Sequence, residues 1–171
     1  MKKITLVFAV IVVQFQIQAQ RKIMPTESFT VKGKVKTEMT FNLNQLDNFA
    51  RKPIADKVIY NHKGEAKDTV RNMKGILLTD VLAKIEYQYD KPKELSEFYF
   101  VCTASDGYKV VFSWNEIYNP EIGNNLYIIT EMEGKAPKDM AQRILLFATS
   151  DFKSGRRYVK GLETIEVRRA E

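Results

Sequence analysis

The chain of 171 residues has a single cysteine, Cys102, and a single histidine, His62. A lone cysteine excludes an internal disulfide, so the fold has to be held by packing. A lone histidine excludes every site that needs two imidazoles, including the common catalytic zinc arrangements. The sequence also lacks a G-x-S-x-G elbow, a phosphate loop, a dinucleotide fingerprint and a calcium loop. Its carboxylates are scattered singly, so no glycosidase-type acid pair can be named. There is no internal repeat and no low-complexity tract. Long apolar runs are missing too. The stretch from Ile4 to Val13 is roughly half of the 20 or so residues needed to span a bilayer.

That short run has another use. Lys2 and Lys3 precede it, and a polar exit, FQIQAQ, follows it with Ala19 as the small residue before a cut. This is the pattern of a secretory signal peptide over residues 1–19, with one domain of ordinary size over 20–171. The expected location is periplasmic or secreted, with no membrane span after removal of the signal. Removing residues 1–19 takes away two lysines and no acid, so the formal charge falls from +6 to +4. Charges of both signs are interleaved, which with export argues against a nucleic-acid partner. Basic residues do thicken toward the end, in Arg143, Lys153, Arg156, Arg157, Lys160, Arg168 and Arg169.

The most apolar stretch, FYFVCTASDGYKVVFS from Phe98 to Ser113, predicts a β-hairpin that turns at Asp106-Gly107. A two-residue turn there sets Thr103 opposite Val110 and Val101 opposite Phe112. Both faces then carry apolar residues, which suits a sheet covered on two sides. Phe29 to Val35 alternates as a half-exposed strand with Gly33 as a bulge. Asn42 or Asn44 caps a short helix whose Leu43, Leu46, Phe49 and Ala50 share one side. Arg51-Lys52-Pro53 ends that helix, Ala55 to Tyr60 is a strand, and Asn61 to Gly64 is a turn. Gly75 is read as a break before ILLTDVLAKI, an amphipathic helix. Trp114 to Tyr118 is one helical turn, Leu126 to Thr130 and Ile144 to Ala148 are strands, and Asp151 to Gly155 is a loop. Tyr158 to Val167 gives one or two closing strands around Gly161. The fold class is mixed α+β.

Two groups of residues invite chemistry. Cys102 with His62 is a conceivable nucleophile and base, but the thiol sits mid-strand among Phe98, Phe100 and Val111. It is expected to be buried, neutral and inert, with His62 on a solvent-facing turn. Arg143, Arg156, Arg157 and Lys160 form the other group. Their donors either converge as an anion site or make a solvated basic edge that keeps strands from pairing with other chains.

The ordered motifs of the chain resemble the oxidoreductase molybdopterin-binding domain, the fold of sulfite oxidases and their bacterial relatives. A G-x-x-L-x-x-[VL]-L helix reads here as Gly75 to Leu82, and a D-G-Y hairpin as Asp106-Gly107-Tyr108. Gly134 to Pro137 followed by Arg143-Ile144-Leu145 matches a further element, and Gly155-Arg156-Arg157-Tyr158-Val159-Lys160 matches the closing G-x-R-x-V-K segment. The resemblance implies a sulfite oxidase-like mixed sheet with short helices over nearly the whole chain after residue 20. It also implies that Arg157 and Lys160, with Arg143, contact a pterin and its phosphate, beside a cleft bordered by Tyr60 and Asn61. The family's molybdenum is held by a cysteine thiolate, and the matching stretch, Val58-Ile59-Tyr60-Asn61-His62, has none. Where the family carries a tryptophan after the closing lysine, this chain has Gly161. The implied cofactor is therefore molybdopterin or another pterin without molybdenum, and no catalytic or metal-binding residue is named. The function expected is a non-catalytic holder of a small anionic ligand. Its alternatives are a molybdopterin-dependent oxidoreductase, or a subunit of one, with atypical ligation, and a protein-interaction module whose pocket is filled and whose basic edge meets a protein partner.

Overall fold

In a computed structural model that describes residues 22–171, the chain forms two five-stranded sheets and a separate two-stranded hairpin. The expected signal peptide lies outside the described residues. β1 (Ser28–Gly33) and β2 (Met39–Asn42) form an antiparallel hairpin. Helix α1 (Leu43–Leu46) starts at Asn42, whose side chain accepts from the Gln45 backbone while the Gln45 side chain accepts from the Asn42 N–H. This reciprocal cap satisfies donors that a helix of one turn otherwise leaves free.

β3 (Lys52–Ile54) is a short strand where the sequence reads only the end of the preceding helix, and it takes in Pro53. Proline is tolerated because β3 is an edge strand. β4 (Lys57–Tyr60) and β5 (Ala66–Val70) make the separate hairpin. β6 (Met73–Leu77) corrects the reading of Gly75 as a break, for the strand continues through it with only a shift of register between Lys74 and Gly75. A Cβ at Gly75 would lie 2.9 Å from both Ile54 Cδ1 and Tyr127 Cβ, so glycine is there to let neighbours approach. Helix α2 (Leu78–Leu82) follows with Leu78, Val81 and Leu82 buried, the spacing that an inward helical face requires.

β7 (Phe98–Ala104) and β8 (Lys109–Ser113) form the expected hairpin, one register step from the expected pairing. The turn is a three-residue loop closed by the Ala104 N–H donating to the Tyr108 carbonyl at 2.8 Å, with Gly107 at φ +86°. Thr103 therefore faces Lys109, and Phe100 faces Phe112. Because side chains alternate, that single step moves Phe98, Phe100, Cys102, Val110 and Phe112 to one buried face. Val111 is left 52% exposed. The expectation of a sheet covered on both sides is corrected accordingly. Helix α3 (Trp114–Tyr118) is capped by Ser113, and β9 (Leu126–Glu131), β10 (Leu145–Ala148), β11 (Tyr158–Lys160) and β12 (Leu162–Arg169) complete the chain.

The first sheet has the order β2-β1-β12-β7-β8 and the second β11-β10-β9-β6-β3. Phe29, Phe100, Phe112 and Ile165 of the first meet Ile76, Ile128, Leu146 and Val159 of the second in one core. Each fully buried side chain of this size contributes roughly 1.5–3 kcal/mol relative to exposure. The other face of the second sheet carries a smaller cluster, including Met73, Phe147 and Tyr158, which the β4–β5 hairpin covers with Ile59 and Val70. Among the described residues no helix is long and apolar enough to cross a membrane.

Candidate functional site

The turn between β4 and β5 is built by Asn61. Its side-chain oxygen accepts from the Lys63 and Glu65 backbones at 2.9 and 3.0 Å, and its amide donates to the Glu65 carboxylate at 2.9 Å. On the far side, the short 3-10 turn Ser154–Arg157 is tied to β4 by one hydroxyl. Ser154 donates to the Val58 carbonyl at 3.0 Å and accepts from the Tyr60 N–H at 3.1 Å, doing for β4 what a neighbouring strand would do. The Tyr108 hydroxyl at the central hairpin donates to the Arg156 carbonyl at 2.5 Å.

Between the turn and this segment lies a cleft of about 520 Å³ lined by Ile59, Tyr60, Asn61, His62, Lys67, Gly155 and Arg156. Tyr60 and Asn61 are where the sequence places them. His62, Lys67 and Arg156 supply the basic groups, and all three are exposed. Lys67 pairs with Glu65 at 3.0 Å. The Arg156 guanidinium has no ion pair among the described residues.

Arg143, Arg157 and Lys160 do not meet there. Arg157 is spent on carboxylates: Nε and Nη2 grip Asp151 at 2.7 and 2.6 Å, and Nη1 reaches Glu116 at 2.9 Å. Its Cζ stands 4.6 Å from the centre of the Phe112 ring, against the main core. The Asp151 hydrogen bonds hold the Arg157 pKa above its ordinary value. For Glu116 the largest influence, desolvation, pushes upward, yet hydrogen bonds from Ser113 and from Arg157 outweigh it and leave the carboxyl below its usual range. Lys160 lies on the opposite side of the second sheet, its ammonium 5.1 Å from the centre of the Tyr158 ring. Arg143, at φ +57°, pairs with Glu27, the residue just before β1. The expected convergence of the three cations is corrected by this geometry.

Arg156 belonged to the basic set read from the sequence, and what decides between it and Arg157 is direction. Consecutive residues of a 3-10 turn, at three per turn, point about a third of a circle apart. One guanidinium looks into the protein and the next looks into the cleft. Lys67 carried no signal at all, because only the β4–β5 register brings it over the turn.

Cys102 is fully buried in the core, opposite Val110, and burial pushes its thiol up to about 12. A group raised this way contributes stability in full below its unfolded value near 8.5, and the contribution is lost as pH climbs toward the folded value. In native protein at pH 8 a thiol-specific disulfide reagent should leave Cys102 untouched for hours, and denaturant should release one thiol at once. Rapid native labelling would refute its burial. The donors at the cleft, Tyr60, Asn61 and His62, are phenol, amide and imidazole, and with Cys102 enclosed elsewhere no thiolate is offered for molybdenum. The donor set does not fit that metal. The uncommitted cation at the cleft does fit an anion.

No protein-family model matches the chain, nor does the sequence of any curated protein. Among solved structures it is similar to the sulfane dehydrogenase SoxCD from Paracoccus pantotrophus, with a TM-score of 0.57 and 14% sequence identity. The match covers 82% of this chain and 37% of that one, so the protein spans well under half the length of its structural neighbour. At this identity the likeness is one of fold, and the fold is a sulfite oxidase-like α+β arrangement.

Proposed function

We propose that the protein is an exported, non-catalytic, molybdopterin-domain-like protein that holds a pterin-like or other small anionic ligand in the cleft between β4 and the Ser154–Arg157 turn. The observation that carries this reading is Arg156, a guanidinium at the cleft wall with no carboxylate partner among the described residues. An arginine fork left open beside Lys67 and His62 suits a phosphate or carboxylate. Tyr60 adds a ring against which a flat heterocycle can lie. The lack of a suitably placed thiolate supports a binding role over redox catalysis.

Calorimetric titration with neopterin monophosphate and with inorganic phosphate tests the proposal. The phosphorylated pterin should bind, phosphate should compete with it, and Arg156→Ala should weaken binding at least tenfold without changing the melting temperature. No heat from either probe, or an unchanged affinity in the variant, would refute it. Stoichiometric molybdenum in protein made in a cofactor-competent host would favour the oxidoreductase alternative instead.

A second reading has its own observation. Phe152 is 97% exposed, on a loop pinned by Asp151 and Ser154 and flanked by Lys153. A held-out aromatic ring beside a lysine suits an acidic protein partner with an apolar pocket. Phe152→Ser should then abolish association with that partner while leaving neopterin monophosphate binding intact.

A further inference from the structure

We infer that Tyr87 and Tyr118 form an oxidative cross-linking site, where peroxide-driven one-electron oxidation joins the two rings and Trp114 carries the oxidation between them. The two hydroxyls stand 3.1 Å apart. Among the described residues no other two phenols hydrogen-bond to each other. The hydroxyls of Tyr108 and Tyr127 donate to the Arg156 and Asn124 carbonyls, and that of Tyr158 to the Met132 sulfur. Tyr118 closes α3 and Tyr87 lies in the connection after α2, so it is the fold that makes the pair.

Trp114, the one tryptophan of the chain, is packed against both phenols. Its ring centre lies 4.2 Å from that of Tyr118 and 4.8 Å from that of Tyr87, and it stacks on Phe100 of the core. Tyr118 is 40% exposed, while Tyr87 and Trp114 are half-buried. An oxidant therefore reaches Tyr118 first. Rings in contact let an electron pass from Tyr87 through Trp114 to the Tyr118 radical, so the oxidant needs to touch only the surface phenol. Burial pushes the pKa of both phenols up, so both meet the oxidant neutral. The proton that Tyr118 gives up passes to water.

Each phenol loses one electron and its hydroxyl proton. The ring carbons beside the two oxygens then bond to each other, and the hydrogens they carried return to the oxygens. The two electrons and two protons released reduce one hydrogen peroxide to two waters. Because the joining carbons neighbour the hydroxyls, the product keeps its two oxygens side by side, as the hydrogen bond already has them. A swing of Tyr118 at the end of α3 brings the rings together. The new bond does what a chain with one buried cysteine cannot do with a disulfide. It closes a loop of about 30 residues that contains the β7–β8 hairpin.

The test treats the purified protein with hydrogen peroxide and a haem peroxidase. The product should stay a monomer, weigh two hydrogens less and show biphenol fluorescence, and its digest should contain one linked peptide pair bearing Tyr87 and Tyr118. It should melt about 5 °C or more above the untreated protein. Tyr118→Phe and Tyr87→Phe, which remove one hydroxyl each, should cut the yield at least tenfold. Tyr89→Phe, at an exposed ring two residues from Tyr87, should leave it unchanged. Trp114→Phe should slow the reaction at least threefold. Linkage through other tyrosines, cross-linked dimers in place of the modified monomer, an unchanged melting temperature, full yield in Tyr118→Phe or an unchanged rate in Trp114→Phe would overturn the inference.

Discussion

Arg157→Met should lower stability by about 3 kcal/mol, at the low end of what removing one partner from a buried ion pair costs. The size follows from what is left behind. Asp151, whose side chain is 12% exposed, would keep a desolvated carboxylate with both of its guanidinium bonds gone, and Glu116 would lose its bond as well. Glu116 is 41% exposed, so water recovers much of its share, and most of the loss belongs to Asp151. For a protein of this length the change corresponds to a melting temperature lower by about 6–12 °C. Methionine fills the space over Phe112 but brings no charge. Arg157→Lys should fall between the two, because an ammonium keeps the charge and loses the bidentate fork. Adding Asp151→Asn to Arg157→Met should recover part of the loss, since the stranded charge is then removed with its partner. A melting temperature unchanged within about 1 °C would mean that the guanidinium is not held as described.

The same network sets an acid limit. Glu116 has a folded pKa below its unfolded value, so its contribution is present above the unfolded value near 4.3 and is lost as pH falls through the folded one. Stability of the native protein should therefore decline below about pH 4.3, and the decline should be shallower in Arg157→Met, where the pair is already broken.

This clamp also shows where reading the sequence stops. The residues that build local structure were legible, because their causes are local. Asn42 caps α1, the Asn61–Gly64 turn closes β4 onto β5, and the apolar stretch around Cys102 makes a buried strand with an inert thiol. The central hairpin was legible as a hairpin, but its register was not. Asp106-Gly107 supports a two-residue or a three-residue loop equally well, and one step decides whether Val111 faces the core or the solvent. The closing segment was harder. A run of Arg156, Arg157 and Lys160 states how much positive charge is present, while the partners that consume it, Asp151, Glu116 and the Tyr158 ring, are fixed only when two sheets pack. A basic cluster in a sequence is thus a supply of cations, and the fold decides which of them remains free for a ligand.

Replacing Gly161 with tryptophan, the residue that the resembling family carries there, should destabilise this protein by about 3 kcal/mol and should not strengthen ligand binding. Gly161 is the single residue between β11 and β12, and those strands belong to different sheets, so the chain changes sheets at this one position. The crossing needs φ +69°, and the Gly161 carbonyl accepts from the Ser105 N–H at 2.8 Å to hold it. A Cβ there would stand 2.5 Å from the Met24 carbonyl oxygen and 2.8 Å from the Ser105 hydroxyl. Left-handed backbone costs a residue with a side chain about 1 kcal/mol or more, and the overlap adds the remainder. Two companions separate the terms. Gly161→Asn tolerates the φ and keeps the overlap, so it should cost less than Gly161→Ala by the backbone share alone. Removing the chain up to and including Met24 takes away the nearest contact, so in that shortened protein Gly161→Ala should become milder. Full stability of Gly161→Trp in thermal melts would show that Gly161 is not held at positive φ against Met24 and Ser105.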